Sequence, residues 1–171
     1  MKFSIFLMSV LLVSTSWALT AKHGQVTLDK LEEYDRCQTM DYDGDHCQDA
    51  LNRWVDAHPG DAFKAAQMTR KKMNAWAALP LFKKAFDKNQ GNCKDEDLKL
   101  AIVSGMDLPP DNYKDIVATA KELGLKKCVN EMKKPIADAA TGGSYAFKNS
   151  CKELITLGMI GGLKKKQCEV K

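Results

Sequence analysis

The sequence predicts an all-α, small disulfide-stapled bundle of about six to seven helices. Apolar residues recur three and four positions apart in several stretches divided by Pro, Gly and Asp, with no sustained strand-like alternation. The six cysteines are an even set, and all lie in the part of the chain that follows an export signal.

The signal is read from residues 1–18. Lys2 supplies a positive start, Phe3 to Val13 an apolar run of eleven residues, and Ser16-Trp17-Ala18 the small residues Ser16 and Ala18 at the −3 and −1 positions of a cleavage site after Ala18. The run is shorter than the roughly 20 residues that span a bilayer. We therefore expect residues 19–171 to form a single helical domain that is secreted or periplasmic, with no membrane span. Removing Lys2 lowers the net charge from +4 to +3. Apart from Lys164-Lys165-Lys166 the basic residues are interspersed with acidic ones, a poor match to a nucleic-acid surface.

The elements follow in order. Leu28, Leu31 and Tyr34 trail Thr27 at helical spacing, and Cys47, Leu51, Trp54 and Val55 form a second stripe stopped by Pro59-Gly60. Asp61 then caps a helix carrying Phe63, Ala66, Met73, Trp76 and Ala77 and ending before Pro80. Leu81, Phe82, Ala85 and Phe86 make a shorter piece closed at Gln90-Gly91. Asp95 caps Leu98, Ala101, Ile102 and Gly105; Pro109-Pro110 breaks that helix, and Tyr113, Ile116, Val117, Ala120 and Leu123 form the next. Gly124 is expected as a left-handed helix end. A weak stretch reaches a loop at Gly142-Gly143, after which Ser144 caps a last helix with Tyr145, Lys148, Cys151, Leu154 and Ile155 on one side. Lys121-Glu122-Leu123-Gly124-Leu125-Lys126-Lys127-Cys128 echoes Cys151-Lys152-Glu153-Leu154 with Gly162-Leu163-Lys164-Lys165-Lys166, without making a repeat.

Six cysteines allow fifteen pairings. We expect Cys37–Cys47, Cys93–Cys128 and Cys151–Cys168, because each pair brackets one turn or helical hairpin. Loops of these sizes contribute roughly 3 to 4 kcal/mol each. No Cys-x-x-Cys spacing points to zinc.

Among chemistry-bearing patterns, Asp41, Asp43, Asp45 and Asp49 occupy positions 1, 3, 5 and 9 of a calcium-type loop. His46 and Asn52 stand where an EF-hand needs Gly and Glu, so the expectation is an Asp/Gly turn with, at most, a weak calcium site. His23, His46 and His58 lack a hydrolase setting, and Ser104, Ser144 and Ser150 lie outside any Gly-x-Ser-x-Gly motif. No catalytic residue and no cofactor is expected. Trp54, Phe63, Trp76, Phe82 and Phe86 are expected in the core, the other use of such residues being an apolar ligand pocket.

Cys37, nine residues and Cys47, then Cys93, a helix with Leu98, a break at Pro109-Pro110, a second helix and Cys128, make a layout of two cysteine-bearing regions. It resembles the periplasmic helical immunity proteins of type VI secretion systems, the Rap/Tai amidase-immunity group. Gln48-Asp49-Ala50 stands where that family has Gly-Tyr-Ile, and the Cys151 to Cys168 region is additional. The resemblance implies a non-enzymatic periplasmic protein that acts as a dimer and occludes the active site of a toxin. The expected function is thus an exported binding protein, an inhibitor or immunity factor whose partner is a toxin or enzyme, with a homodimer as the implied assembly. The alternatives are a helical carrier of a small apolar ligand, a weak calcium-binding protein, and a hydrolase using the acidic loop.

Overall fold

The computed structural model describes residues 26–40, 45–72, 75–143 and 145–160. Among these, eight α-helices and no strand are present. The expected signal peptide lies outside the described residues, as do Asp41, Asp43 and Cys168.

The first expected helix starts later than its stripe. Residues 26–32 are non-helical, and α1 spans Glu33–Met40. Glu33 supplies the reason: its carboxylate reaches back to accept the backbone N–H groups of Asp29 (2.8 Å) and Lys30 (3.4 Å), stabilising turns ahead of the helix. Leu28 and Leu31 are buried all the same. Helix α2, Asp45–Ala57, is joined to α1 by Cys37–Cys47, with Cα atoms 5.8 Å apart. Fully buried Tyr34 donates to Gln48 Oε1 at 2.9 Å, and Arg53 on α2 ties down the Val26 carbonyl.

Pro59 opens a 3₁₀ turn, Pro59–Asp61, and α3 spans Ala62–Lys72. Ala62, Ala65, Ala66 and Thr69 form its buried face, and these small side chains let it lie close against α4. The expectation that this helix runs on to Pro80 is corrected. It stops at Lys72, Ala75–Ala78 forms a 3₁₀ turn, and Pro80 stands in the first turn of α4, Leu79–Asp87. Proline has no N–H to give an interior turn, but the first turn of a helix requires none. Asn89, in the left-handed region at φ 58°, closes α4: its N–H bonds to Phe86 O, and that of Gln90 to Ala85 O.

Helix α5, Glu96–Met106, is central, touching α3, α4, α6, α7 and α8. Asp95 caps it as expected, accepting from Leu98 N at 2.9 Å. Beyond Pro109-Pro110, α6 spans Lys114–Glu122 and runs into a π-helical turn, Leu123–Lys127, closed by Cys128 N–H to Leu123 O at 2.8 Å. Cys93–Cys128 fastens the base of this hairpin, Cα to Cα 5.3 Å.

Gly124 is not a left-handed end. It lies inside the π turn, and a Cβ there would stand 2.6 Å from Ile102 Cγ2 of α5. Close approach, not backbone conformation, requires glycine here. A left-handed glycine instead follows α8, Tyr145–Thr156, where Gly158 has φ 63° and Met159 N–H bonds to Leu154 O.

The weak stretch after Cys128 is a full helix, α7, Val129–Thr141, and accounts for the eighth. Pro135 in its interior and only Met132 and Ile136 buried weaken its stripe. One apolar cluster runs through all eight helices, from Leu28 to Ile160. Cys151 is buried on α8 and disulfide-bonded; its expected partner, Cys168, is not among the described residues. No helix among the described residues is long and apolar enough to cross a membrane.

Candidate functional site

The acidic motif is only partly described. Asp45 begins α2 and Asp49 is exposed one turn along, while Asp41 and Asp43 lie outside the described residues. Among the described residues no three His, Cys, Asp or Glu side chains converge to hold a metal. His46 is exposed, and His58 stacks on Trp54 with ring centroids 4.2 Å apart, its Nδ1 3.0 Å from Trp54 O. Ser104 is half-buried and Ser150 buried.

The aromatic residues make separate contacts. Phe63 meets Phe82 edge-on at 5.2 Å, Trp54 is occupied by His58, and Trp76 lies 5.5 Å from the Tyr113 ring. Phe82 is fully buried in the core.

Two of the surface clefts among the described residues bear on binding, each combining apolar side chains with charge. The first, about 540 Å³, lies between α5 and α7 and is lined by Leu100, Val103 and Pro135 with Glu96, Lys99, Glu131, Lys134 and Asp138 around them. Leu100 is 47% exposed. Most of this charge is satisfied internally: Lys99 pairs with Glu96 and Lys134 with Asp138, each at 2.7 Å. The hydrogen bond to Asp138 holds the Lys134 ammonium above its ordinary pKa.

The second cleft, about 410 Å³, lies where the end of α6 and the π turn face α8. Leu125 and Leu157 supply its apolar surface, and Lys121, Lys126, Lys152, Glu153 and Thr156 the rest. Leu125 is 7% exposed, forming a floor, whereas Leu157 at 38% stands on a wall. The fold builds this site through two devices. The π turn carries Leu125 and Lys126 out of α6 register, and Cys93–Cys128 fixes where that turn ends. Lys121 pairs with Glu153 across the cleft at 3.2 Å. Lys126 and Lys152 are exposed and form no ion pair among the described residues.

The cleft therefore offers two ammonium groups above an apolar floor, within the roughly 300–1,000 Å³ range of ligand sites. Its chemistry is that of binding an anionic, partly apolar group. No expected site residue lines it. The only trace in the sequence is the echo of Lys121-Glu122-Leu123 in Lys152-Glu153-Leu154: both leucines are fully buried, and the first lysine pairs with the second glutamate.

No protein-family model, curated protein or solved structure matches this chain.

Proposed function

We propose that this chain is an exported binding protein that acts by surface contact with another protein, as an inhibitor or immunity factor blocking a toxin or cell-wall hydrolase. The observation that carries the reading is the α6–α8 cleft, whose apolar floor and two lysines without an ion pair among the described residues sit on a cross-linked scaffold. A rigid concave patch loses little conformational entropy on association, which favours protein recognition. The export signal and the even cysteine set support an oxidising compartment, periplasmic or extracellular. The resemblance of the cysteine layout to that of the amidase-immunity group points to the same role.

The test begins with the neighbouring genes. A secreted peptidoglycan hydrolase encoded beside this one is purified and titrated with the disulfide-intact protein, following release of labelled cell-wall fragments. Inhibition reaching completion near one equivalent supports the reading. Undiminished hydrolysis at a large excess refutes it for that partner, and failure of periplasmic expression to protect cells from the hydrolase refutes the immunity role.

A further inference from the structure

We propose that the α6–α8 cleft receives an acidic, apolar-tipped segment of a partner protein: one leucine-, methionine- or phenylalanine-like side chain enters the cleft, and flanking carboxylates pair with Lys126 and Lys152. The inference rests on the surface-contact reading and names the chemistry of the partner.

Charge selects the occupant. Of the three lysines lining the cleft, Lys121 is neutralised by Glu153, leaving Lys126 on the π turn and Lys152 on α8. Lys126 and Lys152 are exposed, so a carboxylate reaching them gains a charge-assisted bond while the apolar floor at Leu125 and Leu157 takes the anchor. A basic segment would meet repulsion, and a purely apolar one would strip water from two ammonium groups without replacing it. The α5–α7 cleft shows no such preference, because it neutralises most of its own charge.

Shape and symmetry narrow the choice. A concave floor holds Leu125 back from a flat bilayer, whereas a protruding side chain reaches it. A second copy docked isologously at this cleft would set the same basic rim against itself.

The experiment selects short random peptides displayed on phage against the full disulfide-intact protein, then measures synthetic versions of the winners by fluorescence anisotropy. Winners should place Asp or Glu beside Leu, Met or Phe and bind less tightly as salt rises. A Lys126→Glu, Lys152→Glu double variant, with helical content checked by circular dichroism, should bind them about tenfold or more weakly. A Lys71→Glu, Lys94→Glu variant, altered at exposed lysines outside the cleft lining, should bind as the parent does. Basic or uncharged winners, or equal binding by the cleft variant, overturn the proposal. So does cleft-dependent binding found only with phosphatidylglycerol vesicles, or a dimer that the cleft variant abolishes. If the cleft variant inhibits the hydrolase fully, this assignment fails while surface-contact inhibition stands. If acidic peptides bind at the cleft but no hydrolase is inhibited, the functional reading fails and the cleft chemistry stands.

Discussion

Removing Cys93–Cys128 should destabilise the protein more than removing Cys37–Cys47. The perturbation is a pair of double variants, Cys93→Ala with Cys128→Ala, and Cys37→Ala with Cys47→Ala, the other cysteines being retained. The sequence separations are 35 and 10 residues. Loop-closure entropy in the unfolded chain then gives a cost of about 3.8 kcal/mol for the longer loop and about 2.7 kcal/mol for the shorter. Burial predicts the opposite order: Cys37 and Cys47 are both buried, whereas Cys93 is half-buried beside buried Cys128. The shorter bridge therefore loses the larger apolar contact on truncation. The two causes can be separated by urea denaturation followed by far-ultraviolet circular dichroism. The expected result is a gap of about 1 kcal/mol in favour of the Cys37–Cys47 deletion, with a steeper denaturant dependence when the longer loop is opened. An equal or greater loss on deleting Cys37–Cys47 would refute the entropic account and place the value of these bridges in native packing.

Asp95→Ala should cost about 1–2 kcal/mol, because it removes the cap on Leu98 N and the 2.7 Å bond from Gln67 Nε2 on α3. Asp95→Asn, which keeps a capping oxygen, should cost less; equal losses in urea midpoints would show that the cap contributes little. Burial pushes the Tyr34 phenol above its ordinary pKa, Asp35 adding to the shift and the Thr69 hydroxyl opposing it. The folded state thus holds a proton that the unfolded chain releases near pH 10.0, so the contribution is complete below that value and is lost as pH rises through the folded pKa. Tyr34 should ionise above the ordinary phenol range or only on unfolding, and Tyr34→Phe should flatten the alkaline fall in stability. An alkaline fall in stability identical in the parent and the Tyr34→Phe variant would contradict this.

Much of the fold is written in local chemistry. The stripes that became α2, α5 and α6, the cap at Asp95 and the break at Pro109-Pro110 depend on neighbours a few residues away, and such signals survive in a linear reading. Other elements depend on distant partners. Gly124 carries the same letter whether it ends a helix or admits Ile102, and only the packing of α5 against the π turn distinguishes the two. Helix α7 forms around Pro135 because burial of Met132 and Ile136 outweighs weak local preference.

The candidate site lies wholly on the second side of that division. Its chemical groups were visible as two lysine-bearing segments, but their meeting was not. The order of residues alone predicts a helical, cysteine-rich chain whose first eighteen residues have the pattern of an export signal. That Lys121 pairs with Glu153, while Lys126 and Lys152 line the same cleft as Leu125, follows from how the helices pack. The physical reason is that helix propensity and capping act within a turn or two, whereas a cleft is made by surfaces that folding brings together from distant parts of the chain.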